Sequence, residues 1–179
     1  MCIRDSADGV RRMDDPAAPT LIAPSQGTHL VFDGAFLSGD TAIMVPRTSD
    51  GRVLFVIPWR GLALIGTTDT PIDAATLEPR PLAEEIDFIL ETAAQYLDGD
   101  PTRADVKSMF AGVRPLVRAG DGDDTAELSR DHTIQIDRSG LMTVAGGKWT
   151  TYRRMAEDAV DQAATLADAS AYVLSEAHA

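Results

Sequence analysis

The sequence predicts an α+β fold, a largely antiparallel sheet with a flanking helix, closed by a strand that runs into a second helix. Three observations predict it. Four runs of strand composition, "THLVF", "TAIMVP", "RVLFVIP" and "GLALIGT", succeed one another with short connections, and strands joined so closely pair antiparallel because parallel neighbours need long crossovers. A single stretch at 82–97 carries apolar residues at helical spacing. A last strand, "LMTVA", passes through Gly146 and Gly147 into a second helical pattern.

Taken in order, "MCIRDS" continues no pattern found in the rest of the chain and looks like translated adapter sequence from DNA library preparation. Residues 1–6 are therefore set aside, and the chain is expected to be a fragment. Residues 7–23, rich in Asp, Pro and Ala, read as an irregular lead-in segment. Asp50-Gly51 marks the turn between the second and third strands, and "WRG" the turn between the third and fourth. A loop comes next, then "LAEEIDFILETAAQYL", with Leu82, Ile86, Ile89, Leu90, Ala93 and Leu97 on one face. Glu84, Glu85 and Asp87 suit the positive end of that helix, and Gly99 and Pro101 stop it. "GVRPLV" is expected to be extended because Pro115 disfavours helix. "AGDGDDTAE" reads as an acidic surface loop, and "HTIQID" and "LMTVA" as strands around the turn "RSG". The final helix, about 150–169, is expected to bury Met155, Ala156, Ala159, Val160, Ala163 and Leu166.

The bulk properties bound the function. With 179 residues, the chain fits one domain, or one domain and part of a second. A net charge of −12 argues against general nucleic-acid binding, which needs a positive surface. Any anion site must then be a local basic cluster inside an acidic envelope. Cys2 is the only cysteine, so no disulfide framework is expected, and His29, His132 and His178 are too scattered for a metal site. No apolar run reaches the roughly 18–20 residues that cross a bilayer. A cytoplasmic location is the default, with peripheral contact on the cytoplasmic membrane left open.

Several stretches have the residue types of an anion or cofactor site. In "VAGGKWTTYRRMAED" a strand ends in two glycines, which let backbone N–H groups approach a ligand. The helix start just after them adds a positive dipole end, and Lys148 adds a full charge. The phosphate-binding P-loop fails here, because Met142 stands where it needs glycine and Trp149 where it needs Ser or Thr. Taken alone, the stretch is better explained as a glycine turn with a threonine N-cap. Arg114 lies between Val113 and Pro115 in an apolar run and needs an anionic partner, which could be any of 28 carboxylates. Arg130 beside Asp131 and His132 reads first as a surface ion pair. His29 heads a strand after "GT", where a lone histidine is more often structural than catalytic. Asp69 in "IGTTDT" reads as turn capping.

In their order these blocks say more. "PSQGTHLV", "VPRTSDGRVLFVIPW", "LIGTTDT", "GVRPLV", "LSRDHTI" and "GLMTVAGGKWTTYRRMAED" strongly resemble the FAD-dependent, quinone-linked glycerol-3-phosphate dehydrogenase family. The resemblance implies a substrate-binding domain over 24–136. Residues 137–170 would be the last strand and helix of a Rossmann-like FAD-binding domain, and 171–179 a truncated tail. It implies FAD as cofactor, glycerol 3-phosphate as substrate and a quinone as electron acceptor, with a possible homodimer and no nucleic-acid partner. Matched residue by residue, His29, Arg114 and Lys148 become the catalytic candidates. His29, Arg114 and Arg130 become the substrate contacts, and Gly146, Gly147, Lys148, Trp149 and Thr150 the cofactor contacts. Guanidinium groups suit a phosphate dianion, and a base near neutral pKa suits removal of a hydroxyl proton.

The sequence departs from that family in what it lacks: the G-x-G-x-x-G unit that holds the FAD pyrophosphate, and the C-terminal helical domain. The isolated fragment is therefore expected to hold FAD poorly and to be inactive. Three alternatives stay open: an oxygen-dependent glycerol-3-phosphate oxidase, a related FAD-dependent amine or amino-acid oxidase, and a non-catalytic anion-binding module. The Ala, Arg and Asp bias suits a bacterial source of high GC content.

Overall fold

The computed structural model describes residues 3–97, 99–118 and 131–167. The chain divides into two compact units, one formed by 24–114 and the other by 2–23 together with 115–179. The change of unit falls after Arg114, because Val117 at the end of the Arg114 strand packs with Ala145 in the second unit.

The first unit is built on an antiparallel sheet. Its strands are β1 (Ile22–Asp33), β2 (Ile43–Val45), β3 (Leu54–Trp59), β4 (Leu62–Gly66) and β5 (Thr70–Pro71). The order is β2-β3-β4-β1, with the short β5 continuing along the β1 edge that β4 begins. A further strand, β6 (Ser108–Val117), also pairs with β1. The register places His29 opposite Gly66 and Gly66 opposite Phe55, with Met44 beyond Phe55.

Strand alternation sorts the side chains. Leu30, Phe32, Val56, Ala63 and Ile65 point to one face and are buried under helix α2 (Ala83–Ala93), which contributes Ile86, Ile89 and Ala93. His29, Phe55, Ile57 and Trp59 point to the other face, where the last three are exposed. The four expected strands and the helix all form, and "GVRPLV" is extended as part of β6.

The second unit differs more from expectation. Residues 7–14 are not irregular but form helix α1 (Ala7–Asp14). Its Arg11 is buried, donating to the Pro19 carbonyl at 2.8 Å and to the Asp137 carboxylate at 3.4 Å. Asp8 accepts the backbone N–H groups of Leu21 and Ile22 at 2.8 and 3.0 Å. Composition hid this helix because its interior side is held by an ion pair and not by an apolar stripe. Strands β7 (His132–Ile136) and β8 (Met142–Gly146) pair antiparallel. A turn at Asp137–Gly140 joins them, closed by an Asp137-to-Leu141 backbone hydrogen bond of 2.9 Å. The hydrogen bonds from Arg11 and Gln135 hold the Asp137 carboxyl below its usual pKa.

Helix α3 (Tyr152–Leu166) also corrects an expectation, since none of its residues is buried. Val160 and Leu166 are 47% and 50% exposed, and the helix packs chiefly on β8 and the turn before it. The periodicity marked a helix correctly, but among the described residues only Met155 and Ala159 of its apolar stripe are half-buried, while Ala156, Val160, Ala163 and Leu166 stay exposed.

Phe32→Ala is expected to cost about 3–5 kcal/mol by opening a cavity in the sheet–helix core. Val160→Ser on α3 is expected to stay within about 0.5 kcal/mol. Urea unfolding of both variants checks the pair.

Candidate functional site

The outer face of the first unit brings two of the expected site residues together. His29 leaves β1 on the side away from the core and lies across Gly66 of β4, where a Cβ would overlap the imidazole ring. On its other side the ring stacks on Phe110 of β6, with centroids 5.0 Å apart and planes within 8°. Burial, and then the charge of Arg114, push the His29 pKa below its ordinary value of 6.5. Among the described residues neither ring nitrogen makes a hydrogen bond. A neutral, half-buried imidazole is the form that can accept a proton.

Arg114 lies across β1 at Gly27, where a Cβ would again overlap the side chain. Its guanidinium donates to the Thr67 hydroxyl and the Thr68 carbonyl, both at 3.0 Å. It also pairs with Asp69 at 3.3 Å. The carboxylate partner that this arginine needed is therefore Asp69, itself bonded by the Ser25 hydroxyl. Arg52 donates to the Asp69 carbonyl and so also ties the 67–69 segment. The Gly66–Thr67 peptide at the head of that segment is cis.

Beneath the segment, on the core side, stands Glu85. Its buried carboxylate accepts five hydrogen bonds: from Gln26 at 2.8 Å, Thr28 at 2.6 Å, Thr68 at 2.7 Å, Thr70 at 2.9 Å and the Leu82 backbone N–H at 2.9 Å. Burial opposes its ionisation, but the Leu82 amide and the side chains of Thr28, Thr68 and Gln26 outweigh that and hold the pKa below the usual value. Sequence reasoning assigned Glu85 only to the helix end and Asp69 only to a turn. It passed over Gly27, Gly66, Thr67 and Phe110 as site residues. The signal for the glycines was visible in outline, because each stands in a run of strand composition where an apolar side chain is the norm.

The cofactor candidates belong to the second unit. Gly146 and Gly147 both have φ of 71°, a left-handed conformation that favours glycine. Their missing side chains are also required internally. A Cβ on Gly146 would lie 2.6 Å from the Asp131 carbonyl, and one on Gly147 would meet the Met155 sulfur. Lys148 is exposed, and Thr151 caps its backbone N–H at 3.0 Å. Trp149, 83% exposed, stacks on Tyr152 with centroids 5.7 Å apart. α3 begins at Tyr152, after a 3-10 turn that includes Thr150. His132 bonds Asp158 of α3 at 2.8 Å, fastening β7 to the helix. Arg130 lies outside the described residues. A cleft of about 530 Å³ lies at the other end of the first sheet, lined by Gly34, Trp59, Arg60 and Leu62 among others, and contains none of the candidate residues. Among the described residues no helix is long and apolar enough to cross a membrane, and no metal-ligating cluster forms.

Residues 6–165 match the family described as FAD dependent oxidoreductase, and the chain belongs to that family. Within it, the chain is 47% identical over 158 residues to the probable mitochondrial glycerol-3-phosphate dehydrogenase of Caenorhabditis elegans. It is 46% identical over 158 residues to the human mitochondrial glycerol-3-phosphate dehydrogenase. Each match covers 87% of this chain but 22% of the relative, so the chain spans less than a quarter of the length of these relatives. The crystal structure of the Bacillus halodurans glycerol-3-phosphate dehydrogenase complexed with FAD is similar to 91% of this chain. The TM-score is 0.75 and the identity 36%, over 31% of that structure's chain. The similarity read from the six motif blocks is confirmed by these relatives.

Gly66→Ala is expected to cost about 1–3 kcal/mol by overpacking against His29 and to shift the imidazole resonances. Gly112→Ala, where a Cβ meets nothing within 4 Å, is expected to leave both unchanged. Proton NMR with urea unfolding separates the two. The lowered pKa of His29 has a second consequence. Between the folded and unfolded pKa values the unfolded chain binds more protons, so this contribution to stability is complete above about pH 6.5 and is lost as pH falls. His29→Asn is therefore expected to lose less stability than the parent between pH 7 and pH 5, read from urea midpoints.

Proposed function

We propose that this chain is part of an FAD-dependent dehydrogenase that oxidises glycerol 3-phosphate to dihydroxyacetone phosphate, and that the isolated chain is inactive. The observation that carries the reading is an imidazole, His29, packed between Gly66 and Phe110 on the sheet face that also carries a half-buried arginine, Arg114. That pairing suits oxidation of a secondary alcohol. His29 takes the hydroxyl proton, and Arg114 stabilises the negative charge that gathers on the oxygen. Because Asp69 already balances Arg114, this arginine suits the single charge of an alkoxide better than a phosphate dianion, which falls to Arg130.

The residues present fit one end of the cofactor. Lys148, Trp149 and Thr150 offer a cation, an exposed aromatic face and a hydroxyl on one turn, with Gly146 and Gly147 shaping the backbone before it. These residues would hold the ring end of FAD. When bound, FAD supplies the acceptor for the hydride that leaves the alcohol carbon. The chain carries no G-x-G-x-x-G for the pyrophosphate. The relatives are named dehydrogenases, which supports an acceptor other than oxygen, and a quinone is the acceptor we assign. Peripheral association with the cytoplasmic membrane and a homodimer complete the reading.

Titrating the isotope-labelled chain with glycerol 3-phosphate tests it. Perturbation centred on His29 and Arg114 is expected, abolished in Arg114→Ala and weakened in Arg130→Ala. Equal response to simple amino acids would favour an amino-acid oxidase and overturn the assignment.

A further inference from the structure

Glu85 has a property that burial alone does not explain. Its carboxylate is 2% exposed as a residue, and among the described residues no cationic side chain pairs with it. A carboxylate buried with only dipoles for company is a poor way to hold a helix on a sheet, since a well-packed apolar side chain does that as well or better. What the carboxylate does that an apolar group cannot is fix the positions of five donors on three segments.

Two of those donors border the candidate site. Thr28 precedes His29 on β1, and neighbouring strand residues point to opposite faces. Pinning Thr28 from the core side therefore sets where His29 leaves the strand on the outer side. Thr68 is the middle of the 67–69 segment. Its hydroxyl turns inward to Glu85 and receives the Thr28 backbone N–H at 2.9 Å. Its carbonyl, the Thr67 hydroxyl and the Asp69 carboxylate turn outward to Arg114.

We propose that Glu85 is the positioning residue of the His29–Arg114 site, clamping β1 and the 67–69 segment in the register that aims both side chains. It touches neither substrate nor cofactor and acts through Thr28 and Thr68. The inference rests on reading His29 and Arg114 as the substrate site.

The test compares Glu85→Leu and Glu85→Gln with Ile89→Ala, a core change on the same helix at a side chain that makes no hydrogen bond to either threonine. Each variant of the 179-residue chain is studied by thermal unfolding, by NMR titration of His29, and by its affinity for glycerol 3-phosphate. Glu85→Leu is expected to lose at least about tenfold in affinity, the scale of one lost buried hydrogen-bonding partner. Its His29 midpoint should return toward the ordinary value as the loosened site exposes the ring and Arg114 moves away. Glu85→Gln, which keeps one acceptor oxygen, is expected to fall between it and the parent. Ile89→Ala is expected to lose stability while keeping both readouts.

A folded Glu85→Leu with the parent's His29 midpoint and ligand affinity overturns the proposal. If Glu85→Leu does not fold, parent-like values of both readouts in Glu85→Gln overturn it. If the parent chain fails to bind glycerol 3-phosphate, the reading of the site falls. The ligand-free His29 titration then decides by itself whether Glu85 sets the geometry.

Discussion

A carboxylate with no counter-ion among the described residues lies at the centre of the first unit. Glu85 stays ionised in the core because five dipoles converge on two oxygens, and those dipoles come from β1, from the segment after β4, and from the start of its own helix. The arrangement is cooperative in a geometric sense. Moving any one segment leaves a buried acceptor or hydroxyl unsatisfied, which costs more than the bond itself returns. The helix, the central strand and the strand-end segment are therefore held as one object. The apolar packing of Leu30, Phe32, Ile65 and Ile89 adds bulk stability but not this angular precision.

Under that constraint the two faces of the sheet take different roles. The inner face is closed by α2. The outer face is cleared by subtraction: Gly27 makes room for Arg114 and Gly66 makes room for His29, while Phe110 backs the imidazole. The Met44–Phe55–Gly66–His29 row continues the apolar character of this face toward the histidine. In a chain of net charge −12 the long-range field repels anions, so attraction must come from short range, where one arginine in a half-buried setting counts for more than in water.

How much of this was legible depends on how far apart the interacting residues lie. The strands and α2 were readable because alternation and the 3.6-residue period are local signals, and "GVRPLV" was readable because proline excludes helix. The histidine, the arginines and the glycine-lysine turn were singled out by their order along the chain, not by any one of them. Asp69 and Glu85 were misjudged because their importance is set by partners 45 and 57 residues away, which no periodicity encodes. Helix α1 was missed for a related reason. Its interior residue is Arg11, and a buried arginine carries no apolar signature until Asp137 is brought to it. The stripe on α3 shows the converse, an apolar pattern that the described residues bury only in part, at Met155 and Ala159.

The division of the chain into units also has a temporal side. The first unit is one uninterrupted run, 24–114, whereas the second draws on 2–23 and on everything after 114. During vectorial synthesis the sheet, its helix and the Glu85 clamp can all form once that run has left the ribosome, because domains generally fold as units as they emerge. Helix α1 emerges before the sheet but must wait, since Asp137 and the β7–β8 hairpin are translated more than a hundred residues later. A site assembled within the early unit can therefore mature before the chain that carries the glycine-lysine turn has been made.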